Sequence, residues 1–189
     1  MAAVDEFKSI YREALPVLVV ALAGGLFSGL VLEAIIERVA FFPGLLVAVP
    51  VFLATRGNVY GALGGRISSG LHQGLIEPRF QRDDRLINAI VASFTIAVSM
   101  SVVIAVLTWV TLGILGWESA SLVEFMTVLL ISGLLTSVVL IFGLLLVLFA
   151  GYKRGYNPDN LVGPVVTTLG DIFGMLFLLL ATITVEVLV

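Results

Sequence analysis

Apolar residues in this chain come as long unbroken runs rather than as stripes alternating with charge. Runs free of charged side chains cover Ala14–Leu32, Val39–Thr55, Leu86–Trp117 and Phe125–Tyr152, and Asn160–Val185 is interrupted only by Asp171. The second run continues weakly through Gly57–Gly65 after Arg56. A helix needs about 20 mostly apolar residues to cross the hydrocarbon core of a bilayer. The pattern therefore predicts an all-α, polytopic membrane protein of five transmembrane helices, with spans at approximately 14–36, 41–66, 86–113, 123–150 and 160–186. The connections left over are short, with no room for a soluble domain. The one sizeable connection, Leu71–Arg85, is expected to carry a short interfacial helix, with His72 at its surface.

Composition supports the same class. Of 189 residues, 60% are hydrophobic and 12% charged, and the mean hydropathy is +1.16. A soluble domain carries about 25% charged residues and could not hide this much apolar surface. Soluble enzymes, nucleic-acid-binding modules and disordered tails are excluded as classes, and a net charge of -3 argues against a nucleic-acid partner. The chain has no cysteine, so neither a thiolate metal site nor a cysteine nucleophile is available. Asp5, Glu6, Lys8, Arg12 and Glu13 precede the first run, and no small-residue cleavage pattern follows it, so no cleavable signal is expected. The partner implied throughout is a lipid bilayer, and the expected location is the cell (plasma) membrane.

Lys and Arg give an orientation, since short loops rich in them stay cytoplasmic. Lys8, Arg12, Arg79, Arg82, Arg85, Lys153 and Arg154 fall on one side and only Arg38 on the other. The expected topology has the N-terminus cytoplasmic and the C-terminus outside. Tyr11, Tyr152 and Tyr156 then mark the inner boundary, and Phe41, Phe42, Trp109 and Trp117 the outer one.

Function in such a chain is read from polar groups at membrane depth, where an ionisable residue is costly. Asp171 lies twelve residues after Asp159, about 18 Å along a helix, close to the bilayer centre. Pro164, Thr167, Asp171 and Gly174 share one helical face. Pro164 lacks an amide N–H and loosens the local backbone, which a membrane tolerates only against protein or a watery cavity. This face offers a carboxylate, hydroxyls and loosened carbonyls, a hard-oxygen set suited to Mg²⁺, Ca²⁺ or Mn²⁺ rather than to zinc or copper. Gly170 and Gly174 allow a second backbone to come close.

The second span holds the complement. Pro43 and Pro50 interrupt it, Asn58 needs partners at depth, and Gly57, Gly61 and Gly65 form a GxxxGxxxG seam that reads as helix packing. Arg56 is expected to turn away from any ion path, toward outer water or an acid such as Glu33. Glu33 itself reads equally as a cation-attracting mouth residue or as an ordinary interfacial acid. Asn88, Thr95 and Ser99 on the third span, and Ser132 with Thr136 on the fourth, read as interhelical hydrogen-bonding groups.

The Pro50…Gly57-Asn58 segment, and the run from Asn157-Pro158-Asp159-Asn160 through Gly163-Pro164 to Thr168-Leu169-Gly170-Asp171, resemble the membrane domain of MgtE magnesium channels. They resemble the divalent-cation transporters of solute-carrier family 41 more closely still. The resemblance covers nearly the whole chain and implies a single MgtE-like transmembrane domain over residues 1–189. It also implies a five-helix unit that pairs about a two-fold axis, as a homodimer or with a sister subunit, around an ion path for Mg²⁺. It places Asp171 as the central cation ligand, assisted by the carbonyl of Thr167, and matches the first-span glutamate to Glu33. Asn58 joins the metal-ligand candidates. Pro50, Gly57, Asp159, Asn160, Gly163, Pro164, Thr168 and Gly170 are the remaining pore-lining or motif positions. The family's Asp-Pro at the inner end of the fifth span is Asn157-Pro158 here, and no cytoplasmic regulatory region of the family's kind is expected.

The function so implied is divalent-cation transport and not enzymatic. An alternative is a non-transporting membrane subunit that regulates or scaffolds a partner transporter. An intramembrane aspartyl protease would need a second catalytic aspartate in another span, and one carboxylate cannot divide acid and base roles.

Overall fold

The computed structural model describes residues 2–188, and those residues form five helices and no strand. They are α1 (Ala2–Ile36), α2 (Leu45–His72), α3 (Asp84–Leu115), α4 (Leu122–Lys153) and α5 (Asp159–Leu188). Each contains a stretch long and apolar enough to cross a membrane. The outward surface agrees with a lipid solvent: Leu22, Leu26 and Leu30 of α1, Ile114 of α3 and Val123 of α4 are each at least 70% exposed.

The helix ends follow local chemistry. Gly44, left-handed at φ 85°, precedes α2, and Pro43 stands before it, so the helix begins at Leu45, inside its uncharged run. Asp83 caps α3 by accepting from the backbone of Arg85 and Leu86, and left-handed Gly116 ends it. Ser121 and Glu124 form a reciprocal capping box on α4. Pro50 and Pro164 lie within α2 and α5, and both helices continue through them.

The interfacial helix expected in Leu71–Arg85 does not form. Leu71 and His72 complete α2, and residues 73–83 are turns, bends and irregular chain. Left-handed Gly74 and Pro78 break the helical path there, and a pair between Arg79 and Glu77 holds the bend.

α2, α4 and α5 pack mutually, α3 lies against α2 and α4, and α1 lies outside against α5. The core divides into two apolar clusters. One gathers Ile35, Leu45, Phe52, Ile104, Phe125, Leu129 and Leu178. The other gathers Tyr60, Leu63, Ile67, Leu140, Leu144, Leu148 and Leu161. Polar side chains fill the level between them: Arg56, Ser101, Ser132, Thr136 and Ser137 are all fully buried. Ser132 donates to Val128 O and across the bundle to Phe177 O, whereas the Thr136 and Ser137 hydroxyls donate within α4. Asn88, Thr95 and Ser99 instead lie on the exposed face of α3 and make no interhelical bond among the described residues.

Candidate functional site

Asp171, Thr167, Asn58, Gly57, Gly163 and Gly170 come together in one groove of about 400 Å³ between α2 and α5. Leu53, Ala54, Gly61 and Val166 complete its lining. Asp171 is half-buried, and neither it nor Asn58 has a side-chain hydrogen bond or ion pair among the described residues. A carboxylate and an amide left without protein partners in a recess of this size are open to a cation and its waters, each of which takes about 30 Å³. The Thr167 hydroxyl donates to the carbonyls of Gly163 at 3.0 Å and Pro164 at 3.2 Å. Its proton is thereby committed backward along α5, and its oxygen lone pairs remain available.

The glycines divide into two kinds. A Cβ at Gly57, Gly61 or Gly65 would meet no atom within 4 Å, so the seam expected to pack against a helix is open within this chain. Gly57 and Gly61 instead form the floor of the groove. Gly170 is equally open, whereas a Cβ at Gly174 would lie 2.9 Å from Leu53 Cδ2. Gly174 thus seats α5 on α2, and Gly170 widens the recess.

Arg56 turns away from the groove, as expected, but not in the direction expected. It faces neither outer water nor Glu33: it is 0% exposed and sits behind α2, among α3 and α4. Nη1 donates to Ala97 O at 3.0 Å, Nη2 donates to Ser101 Oγ at 2.5 Å, and the guanidinium lies 4.6 Å from the Phe52 ring centroid. Gly133 makes the space, since a Cβ there would stand 2.5 Å from Arg56 Nη2. Arg56 is two residues from Asn58, about 200° around a helix, which puts the cation and the groove on opposite sides of α2. The Nε of Arg56 and the hydroxyl of Tyr60 are buried with no partner in hydrogen-bonding geometry among the described residues.

The other motif residues lie outside the groove. Asp159 accepts from Ser68 Oγ at 2.5 Å and lies 3.6 Å from His72 Nε2, tying the start of α5 to the end of α2. The Tyr152 hydroxyl donates to Leu71 O at 3.2 Å beside that tie. Asn160 opens α5 with its amide donating to Asn157 O. Thr168 turns toward α1, where a Cβ on Gly24 would come 2.7 Å from its Cγ2. Pro164 is half-buried within α5, and Pro50 is exposed on α2. Glu33 is exposed near the end of α1. At that same end Arg38 pairs with Glu186 and fixes the α1–α2 connection to the end of α5.

Gly61, Ala54 and Val166 are groove residues that sequence reasoning did not single out as such; the spacing of Gly61 to Gly57 marks a shared face but not whether that face is packed or open. Comparison with known proteins bears on the same two helices. A family model described as MgtE, divalent cation transporter, matches residues 49–181, which include every residue of the groove. Solute carrier family 41 member 3 of Rattus norvegicus is 27% identical over 172 residues, 88% of this chain. The chain spans 37% of the length of that curated relative. No solved structure matches.

Proposed function

This chain belongs to the MgtE family of divalent cation transporters, and we propose that it moves Mg²⁺ across the cell membrane with Asp171 as the central ligand. The observation that carries this reading is the groove in which Asp171, Asn58 and Thr167 meet without protein partners for the carboxylate or the amide. Mg²⁺ prefers oxygen ligands in octahedral geometry and sheds water reluctantly. A recess holding one carboxylate, one amide oxygen and room for several waters suits an ion that keeps part of its hydration shell.

A single groove bounded by two helices is a half-channel. Pairing about a two-fold axis would set a second Asp171 opposite the first and enclose the path between copies. The open seam of Gly57 and Gly61 supports this arrangement, because a seam without its own packing partner lets a second chain approach the ion closely. The N-terminus is then cytoplasmic, following the basic residues, and Glu33 stands at the outer end as a cation attractor.

The test is Mg²⁺ uptake into liposomes by the purified protein, native beside Asp171→Ala. The native protein is expected to pass Mg²⁺, and Asp171→Ala to insert normally and pass none. Undiminished flux in Asp171→Ala would remove Asp171 from the path. No flux from the native protein alone would favour a subunit that scaffolds or regulates a partner transporter.

A further inference from the structure

A second recess, larger than the groove at about 580 Å³, opens between the end of α2, the start of α3 and the turn after His72. Its polar wall carries Arg66 and Arg85, with Ser69 and Gln73 beside them, and its apolar wall includes Ala62 and Ile76. Among the described residues neither arginine enters an ion pair. The acids nearby are otherwise placed: Asp83 caps its own helix, Glu77 pairs with Arg79, and Asp84 is exposed in the first turn of α3. Two guanidinium groups therefore share one pocket without a counter-ion.

The depth of the site matters as much as its charge. Arg66 lies six residues before the end of α2, about 9 Å along its axis, and Arg85 is the second residue of α3. Both sit where membrane-spanning helices reach the boundary, at the end of the bundle that also carries Arg79 and Arg82. An arginine fork matches phosphate oxygens bidentately, and basic pockets between spans at the cytoplasmic side suit anionic lipid headgroups. A soluble phosphate would have no use for the apolar wall, whereas a glycerol backbone and the first acyl carbons would lie against it.

We propose that the Arg66–Arg85 recess binds the phosphodiester headgroup of an anionic phospholipid of the cytoplasmic leaflet. The site is separate from the Asp171 groove, and its test does not depend on transport.

The experiment is photolabelling of the native protein in vesicles with a photoreactive phosphatidylglycerol, followed by peptide mapping. Labelling is expected on the peptides spanning residues 62–76 and 85–89, and a phosphatidylcholine probe should label them weakly. Each arginine is expected to contribute about fivefold to headgroup affinity. Arg66→Gln with Arg85→Gln should therefore cut labelling there by about 25-fold, while Arg66→Lys with Arg85→Lys, which keeps the charge and loses the bidentate fork, should fall between that variant and the native protein. Ala62→Phe, which fills the apolar wall and leaves both charges, should also lose the label, and it decides the matter if the double glutamine variant does not fold. Equal labelling by the two probes, or undiminished labelling in both the glutamine pair and Ala62→Phe, would overturn the proposal. Displacement of the lipid probe by millimolar inorganic phosphate would assign the site to a soluble anion instead.

Discussion

Arg56 donates from Nη2 to Ser101 Oγ at 2.5 Å, on the side of α2 turned away from Asn58. Among the described residues the one fully buried cation is thus held back-to-back with the groove rather than inside it. Ion pairing does not hold it there: its contacts are a carbonyl, a hydroxyl and the face of Phe52. At an effective dielectric constant of about 20, two unit charges 4 Å apart interact by about 4 kcal/mol. A guanidinium facing the groove would repel a divalent ion at twice that strength, and the helix itself prevents this.

This seat gives a prediction about stability. Replacing Arg56 with methionine removes a desolvated charge and leaves no acceptor orphaned, because Ser101 Oγ already donates to Ala97 O at 3.1 Å. Arg56→Met is expected to melt no lower than the native protein in detergent. Gly133→Ala places a Cβ against Ser101 Oγ and 2.5 Å from Arg56 Nη2, and overpacking of this kind costs about 1–3 kcal/mol. Combining the two should restore part of the loss, since the clash with Arg56 is relieved while that with Ser101 Oγ remains. Thermal unfolding of the four proteins checks this. A large loss in Arg56→Met would show that the charge is needed to hold the bundle.

Two glycines three residues apart on α2 should behave in opposite ways. A Cβ on Gly61 meets nothing within 4 Å and would project into the groove, whereas one on Gly64 would lie 2.5 Å from Val162 Cγ1 of α5. Gly61→Ala is expected to leave the packing of α2 on α5 undisturbed while lowering Mg²⁺ flux. Gly64→Ala is expected to destabilise by about 1–3 kcal/mol through overpacking of α2 on α5. Melting curves and liposome flux on the same preparations separate the two. Equal effects would mean that the seam is not part of the path.

The contrast shows what the amino-acid pattern can and cannot carry. The five helices are legible because lipid imposes a length and a composition on every span, and both are local properties. Asp171 is legible because a charge at bilayer depth is rare, and its face follows from the helical period that also brings Thr167 into the groove. The open state of Gly57 and Gly61 is not legible, since GxxxGxxxG has the same spacing whether a neighbour fills it or not. The seat of Arg56 depends on Ser101 and Gly133, two residues remote in sequence and ordinary in composition. Asp159 read as a pore position from its motif, yet Ser68 and His72 draw it into a tie between helix ends.

Charge at Asp171 should set valence selectivity. Asp171→Asn keeps a carbonyl oxygen at nearly the same place and loses the negative charge. Since the Coulomb attraction scales with ionic charge, a divalent ion loses twice what a monovalent ion loses. The expected result is at least a tenfold fall in the permeability ratio of Mg²⁺ to Na⁺, with Na⁺ leak little changed. Reversal potentials in planar bilayers, or paired fluorescent flux assays, measure it. An unaltered ratio would show that selectivity is set elsewhere than at this carboxylate.

Pairing makes the most demanding prediction, because it concerns two chains at once. One groove carries the Asp171 carboxylate and the Asn58 amide on one side only. An octahedral ion placed against it still has half its coordination sphere turned outward. Under two-fold symmetry the facing half is the same set of groups from the second copy. The binding count is then one central Mg²⁺ for two chains, and loss of one carboxylate damages a site shared by both. Co-reconstituting equal amounts of native protein and Asp171→Ala, mixed before the copies pair, distinguishes the alternatives. If both carboxylates are needed, only native–native pairs conduct, and flux falls to about one quarter for random two-fold pairing. If each chain conducts by itself, flux falls to about one half. A value near one half, with one central ion bound per chain, would show that Asp171 acts without a partner across the axis.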